Sequence, residues 1–305
     1  MRRVIITGGT GLIGRALAAH LAPAGYEVIL LSRAPGLARD LPAGVRAVEW
    51  DARSAAGWGE LADGATAIVN LAGESIGGGR WTAERKRRIR DSRLNAGAAV
   101  VQAIKLAERK PEVVIQASGI GIYGNAGDAE LTEDAPAGRD WLSRLAVEWE
   151  EATASVEPLG VRRVVTRNGV VLSMKAIAFQ RLLLPFRFFA GGRLGNGRQW
   201  MSWIHIDDMV RALRFLIETS EARGAFNLCA PAPVRNADLA RAIGRVMRRP
   251  AFQPVPALVL RLLFGEMAGV LLDSQRATPR RLLALGFTFQ YPEVESALRA
   301  LLKGA

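Results

Sequence analysis

The stretch "RVIITGGTGLIGRALAAHLAPAG" (residues 3–25) constrains the fold more than any other part of the chain. A β-branched apolar run ends in glycines, and an amphipathic helical pattern begins at once. Gly8, Gly11 and Gly14 stand at i, i+3 and i+6. Gly8 permits a tight turn, Gly11 lets a phosphate approach the backbone, and Gly14 lets helix and strand pack closely. Thr10, Gly11, Leu12 and Ile13 then present N–H groups at the helix start, where the helix dipole favours an anion. A glycine triplet alone is weak. Here a strand precedes it, a helix follows, and a second strand, "EVILLS" (27–32), arrives on schedule. That context is what dinucleotide binding requires.

The end of the second strand sets cofactor choice. An acidic residue there holds the ribose hydroxyls of NAD and repels a 2′-phosphate. This chain has Ser32-Arg33, and a guanidinium binds a phosphate bidentately. The expectation is NADP(H) over NAD(H).

Further apolar runs at "VRAVEW" (45–50), "AIVNLAG" (67–73), "EVVIQAS" (112–118) and "VRRVVTR" (161–167) read as strands, with helices at 82–108 and 139–154. Strands alternating with helices imply crossover units, hence a doubly wound parallel sheet of α/β class, the NAD(P)-binding Rossmann fold. After residue 175 the rhythm changes. Helices are expected from Ile206 to about Ser220, over "NADLARAIGRVM" with Asn236 as its cap, and near 256–271 and 292–302, with a short strand "GAFNL". The expected division is a cofactor domain, 1–175, and a smaller C-terminal α+β substrate lobe, 176–305, from which some segments return to the first domain.

Composition excludes several classes. One cysteine, Cys229, and two histidines, His20 and His205, leave no disulfide framework and no ordinary zinc cage. The greasy run "VPALVLRLLFGEMAGVLL" is broken by Arg261 and Glu266, short of the roughly 20 apolar residues a membrane span needs. No secretory signal opens the chain. A cytoplasmic protein with no membrane partner is expected. The net charge of +12 comes almost entirely from scattered arginines. Without an aromatic-studded basic strand it predicts no nucleic-acid partner. The dense run "ERKRRIRDSR" (84–93) reads mostly as a solvated helix face.

"TGGTGLIG", "NLAG", "ASGIGIYG" and "SWIHIDDM" together resemble the extended short-chain dehydrogenase/reductase superfamily. "NLAGESI…RW", "RNGVVL", "LLPF", "WIHIDD" and a C-terminal "P…R…LGF.F.YP" are similar to one NAD-dependent epimerase/dehydratase-like branch. Its members carry the name sugar-nucleotide epimerase and sometimes cell-division inhibitor. The resemblance spans essentially the whole chain. It implies that Leu71, Ala72 and Gly73 let the dinucleotide cross the sheet edge and that Asp51 meets the adenine. It also implies that Arg93, in place of an asparagine on the long helix, reaches the phosphates, and that Asn168 and Gly169 flank the nicotinamide.

In that superfamily a tyrosine is the general acid/base, a lysine four residues later lowers its pKa, and a serine polarises the substrate oxygen. Here Asp140 stands at the tyrosine position, Arg144 at the lysine position and Gly119 at the serine position, with Ser118 one residue early. No Tyr-x-x-x-Lys occurs anywhere in the chain. The candidates left for chemistry are Ser118 and Tyr123 as hydroxyl donors, Tyr123 reading equally as a packing residue of its Tyr-Gly turn, and Arg144 as a cation for the nicotinamide ribose. Trp141 and Leu145 are expected to seat the 139–154 helix on the core, and His205 to be structural. The reading is an NADP(H)-dependent oxidoreductase or epimerase-like protein acting on a small, anionic, nucleotide-sugar-like substrate. The rival is a non-catalytic NADP(H)-binding redox sensor or regulator.

Overall fold

The computed structural model describes residues 2–38 and 41–303. Its centre is a seven-stranded, all-parallel sheet. In chain order the strands are β1 (Arg2–Thr7), β2 (Tyr26–Ser32), β3 (Val45–Glu49), β4 (Ala67–Asn70), β5 (Val113–Gly119), Arg162–Asn168 and Gly224–Leu228. Across the sheet the order is Gly224–Leu228, Arg162–Asn168, β5, β4, β1, β2, β3. The order reverses beside β1, so the strands on either side open a crevice at their carboxyl ends. Ile5 pairs with Ile29 and with Ile68, and Thr7 with Asn70. Thr7 Oγ1 donates to Asn70 Oδ1 at 2.6 Å, and Asn70 Nδ2 donates to Gln116 Oε1 at 2.8 Å. This buried polar chain pins the ends of β1, β4 and β5 in one plane.

The alternation of strand side chains gives each face its own helices. Val4 and Ile6 point to the layer formed by α1 (Leu12–Leu21) and α5 (Ile206–Glu218). Ile5 points to the opposite layer, where α2 (Ala83–Leu106) presents a stripe of small residues, Ala96, Ala99, Val100 and Ala103. Thr82 opens α2 by accepting from Arg85 N at 3.2 Å. The helix α3 (Trp141–Glu151) follows β5, and its N-cap is Asp140, whose side chain accepts from Ser143 N at 2.8 Å.

The C-terminal lobe gathers α4 (Ile177–Arg187), α6 (Asn236–Met247) and the last helix, Val294–Leu302, around Phe179, Leu183, Phe186, Leu239 and Leu298. A division at residue 175 does not separate the two packing units, because the strand Gly224–Leu228 edges the main sheet and α5 covers α1. Arg162, buried in that edge, donates to Leu216 O, Ile217 O and Ala222 O, closing the carbonyl end of α5. Two expectations need correction. The N-cap of α6 is Arg235, not Asn236. Asn236 is buried because its Oδ1 accepts from Leu194 N at 2.7 Å, tying down a neighbouring loop. The helix expected at 256–271 is broken: α7 (Ala257–Phe264) stops at Gly265, which has φ 60°, and a short helix Gly269–Leu272 follows.

Candidate active site

The turn after β1 has a bare floor. Gly8 has φ +62°, and a Cβ there would lie 3.0 Å from the Leu71 carbonyl. At Gly14 a Cβ would lie 2.7 Å from the Cα and O of Gly9, so α1 could not start this close to the strand. Gly11 N donates to Gly8 O at 2.9 Å, which tightens the turn. No side chain caps α1, so the first-turn N–H groups of Leu12 and Ile13 remain for an anion. These are the features a diphosphate needs.

A cleft of about 510 Å³ runs along this turn. Gly8, Thr10, Gly11, Ser32, Arg33, Leu71, Ala72 and Gly73 all line it. Ser32 is buried and its Oγ accepts from Ala34 N at 3.2 Å, while Arg33 is exposed on the cleft rim. Asp51 is different. Its Oδ1 accepts from Arg53 N and Ser54 N, and its Oδ2 from Ser54 Oγ. Those backbone bonds hold its carboxyl below the usual range. These bonds fold the carboxylate back on its own loop, and its neighbours Trp50 and Ala52 line the cleft.

Arg93 stands where the cleft ends. It is buried, its Nη1 donates to Glu74 O and to Ile89 O at 3.0 Å each, and its guanidinium lies 4.6 Å from the Trp149 ring centre. Burial lowers its pKa to about 10, so it stays charged at neutral pH. A Cβ on Gly73 would come within 3.1 Å of it. Beyond Arg93 a mostly apolar chamber of about 260 Å³ is walled by Gly119, Ile120, Leu145, Trp149, Asn168 and Gly169. Arg93, Asn168 and Gly169 therefore share one site.

The three candidates for chemistry do not converge. Ser118 is buried at the end of β5, and its Oγ has no hydrogen-bond partner among the described residues. Tyr123 lies in a buried cluster with Ile122, Leu131 and Cys229. Its hydroxyl donates to Asn227 Oδ1 at 2.7 Å and accepts from Arg167 Nη1 at 3.1 Å. Burial pushes its pKa up despite Arg167. Its hydroxyl has both hydrogen-bonding roles filled, and it lines neither the apolar chamber nor the cavity that adjoins it. Arg144 is exposed, donates to Arg139 O, and faces a different cavity.

That cavity, of about 620 Å³, adjoins the apolar chamber through Gly121, Leu142, Val270 and Gln275, which line both. Its charged groups are Lys86, Arg144 and Arg261 against Asp140, Glu266 and Asp273. Trp141 does not seat its helix on the core. It is half-buried on this cavity wall with its ring 4.8 Å from Trp81, while Leu145 is buried as expected. Lys86 lies 5.2 Å from the Trp141 ring centre and forms an ion pair with Glu266. Burial, and then the charge of Asp140, push the Asp273 carboxyl up, with Arg261 opposing. Lys86, Arg261 and Asp273 went unread in the sequence. Lys86 was hidden in a run that looked like a solvated face, and no motif surrounds Arg261 or Asp273. His205 is structural: its Nδ1 accepts from Asp207 N at 3.1 Å, and its ring stacks 4.0 Å from Tyr291.

Sheet order, glycine turn and cleft define a dinucleotide-binding protein of the doubly wound α/β class. The chain belongs to the NAD dependent epimerase/dehydratase family, whose profile matches residues 4–229. A second profile, a domain of unknown function, matches residues 255–301. The chain is 39% identical over 301 residues to epimerase family protein YfhF of Bacillus subtilis (strain 168), covering 98% of this chain and 97% of that one. The crystal structure of human epimerase family protein SDR39U1 (isoform 2) with NADPH matches with a TM-score of 0.88 and 35% identity, covering 99% of this chain and 100% of that one. A nucleoside-diphosphate sugar epimerase from Corynebacterium glutamicum matches with a TM-score of 0.77 and 32% identity, covering 99% of this chain and 58% of that longer one.

Proposed function

We propose that this protein binds NADP(H) and works as an oxidoreductase or epimerase-like enzyme on a small, anionic, nucleotide-sugar-like molecule. One observation carries the reading. The dinucleotide cleft leads past Arg93 into the apolar chamber, and that chamber shares four wall residues with a polar cavity large enough for a second molecule. A pure sensor of the cofactor has no need of that second cavity. Arg33 on the rim supports NADP(H), as does the NADPH in the human relative's structure.

When bound, the nicotinamide supplies or accepts a hydride. The chain's part is to bind, orient and move a proton. Arg93 and the first turn of α1 hold the diphosphate. Ile120, Leu145 and Trp149 keep water from the nicotinamide end. Lys86, Arg144 and Arg261 attract the anionic part of the substrate, and Trp81 and Trp141 offer it an aromatic wall. Asp140 caps α3, its side chain accepting from Ser143 N. Asp273, whose affinity for a proton is raised, is the group best suited to give one to a substrate oxygen.

The test is turnover of a panel of carbonyl compounds and nucleotide sugars with NADPH by wild type, Asp273→Asn and Tyr123→Phe. Turnover should vanish in Asp273→Asn, persist in Tyr123→Phe, and fall in the wild type as pH rises past the titration of Asp273. Tight NADPH binding with no turnover on any compound would favour the sensor, a reading supported by the engaged Tyr123 hydroxyl and the enclosed Ser118.

A further inference from the structure

One face of the C-terminal lobe has no part in the site. Phe188, Phe189, Phe252, Leu258, Leu262 and Leu263 are each between 59% and 74% exposed. The backbone brings their segments together. Gln253 N donates to Gly191 O at 3.1 Å and Val255 N to Arg193 O at 2.9 Å, so the chain leaving α4 runs beside the chain entering α7. Leu258, Leu262 and Leu263 then make most of α7 apolar on its outer side, and only Leu260 of that helix is buried. Phe189 has φ +60°, a left-handed conformation that strains a bulky residue and signals a retained purpose where it occurs.

Cations predominate around this face, although Asp238 pairs with Arg241, Glu295 pairs with Arg245, and Glu266 follows α7. Residues 168–206 contain Lys175, Arg181, Arg187, Arg193 and Arg198 and no Asp or Glu. Residues 239–265 contain Arg241, Arg245, Arg248, Arg249 and Arg261 and again no Asp or Glu. Between the two segments lies a cleft of about 330 Å³ lined by Arg187, Arg249, Val246, Met247 and Leu302. The Arg249 guanidinium lies 4.4 Å from the Phe189 ring centre, so the cleft is continuous with the exposed aromatics. Neither Arg187 nor Arg249 is paired with a carboxylate among the described residues. Two guanidiniums above apolar side chains complement a phosphate whose substituent is greasy. A second copy of a chain with net charge +12 would bring the same cations face to face.

We propose that this face docks on the surface of an anionic phospholipid bilayer. Phe188, Phe189, Phe252 and the outer side of α7 enter the headgroup boundary, and Arg187 and Arg249 take lipid phosphates. No helix among the described residues is long and apolar enough to cross a membrane. The contact is a helix and loops lying on the surface. The lack of a span leaves this surface mode open. Because Arg261 of α7 and the residues that follow it wall the polar cavity, docking sets that cavity beside the lipid surface.

The experiment is flotation of the full chain with vesicles of phosphatidylcholine, alone or mixed with phosphatidylglycerol, at low and high salt. Wild type should float with the anionic vesicles, less at high salt and far less with phosphatidylcholine alone. Arg187→Gln with Arg249→Gln should weaken partition roughly 25-fold, about fivefold per charge. Phe188→Ser with Phe252→Ser should weaken it by at least about tenfold. Leu262→Gln with Leu263→Gln repeats the test on α7 independently of the loops. Unchanged melting temperature and NADPH affinity separate lost docking from misfolding. No flotation with anionic vesicles, or flotation that none of the three double variants reduces, overturns the proposal. So does a dimer in sedimentation, with no flotation, that Phe188→Ser with Phe252→Ser dissociates; the occupant would then be a second copy.

Discussion

Arg33 is where the cofactor preference can be measured directly. Ser32 beside it accepts from Ala34 N and keeps only a neutral O–H to offer a phosphate, a weaker contact than a guanidinium. Arg33 is exposed on the cleft rim, so its charge acts on a 2′-phosphate through partly aqueous surroundings. Two unit charges about 4 Å apart attract by roughly 1 kcal/mol in water and about 4 kcal/mol near a protein surface. A charged hydrogen bond is worth about 1.5–3 kcal/mol. Exposure argues for the low end, near 1.4 kcal/mol, which is about tenfold in affinity. Arg33→Ala should therefore raise the NADPH dissociation constant about tenfold in titration calorimetry and leave that of NADH nearly unchanged. The gap should close as salt is raised, because the screening length shrinks from about 10 Å at 0.1 M to about 3 Å at 1 M. Equal weakening of both cofactors would refute the argument, as would NADPH binding indifferent to the substitution.

Gly14→Ala should destabilise the protein by roughly 1–3 kcal/mol in chemical denaturation, because the new Cβ would meet Gly9 backbone at 2.7 Å and neither segment can step aside. Tyr123→Phe should cost about 1–3 kcal/mol of stability by leaving Asn227 Oδ1 without its donor, while NADPH affinity measured by calorimetry stays as in wild type. Burial lowers the pKa of both His20 and His205 from 6.5, so each stays neutral in the fold while the unfolded chain takes up a proton. Their contribution is present above pH 6.5 and is lost as pH falls through the folded values. Denaturation midpoints should drop on acidification below 6.5, and His205→Gln should flatten part of that drop.

The cofactor half of the molecule was legible because its signals are local. A β-branched run, a glycine at a turn and an apolar stripe act over a few residues, and each strand from β1 to β5 lies close to where its pattern put it. The polar cavity was not legible because its members meet only through the fold. Lys86 sits in a basic run whose helical neighbours suggested solvent, and its partner Glu266 lies far along the chain. Tyr123 ends a single 3-10 turn, Ile120–Tyr123, and that turn's direction carries the ring into the cluster with Asn227. No spacing rule encodes such a direction. Asp51 carried a readable signal that was passed over. An aspartate followed by a serine three residues on forms a self-capped turn.

The return of residues 206–228 to the main sheet bears on how a protein like this can be recombined. The C-terminal lobe cannot be exchanged as one block after residue 175. That cut would take away α5, which covers α1, and the edge strand Gly224–Leu228, which pairs with Arg162–Asn168. It would also strand the buried guanidinium of Arg162, whose acceptors are Leu216 O, Ile217 O and Ala222 O. A chimera that exchanges the C-terminal lobe therefore needs two crossovers, replacing 176–205 and 229–303 while the host keeps 206–228. Over generations, the two parts of this chain can diverge in sequence but cannot easily trade partners.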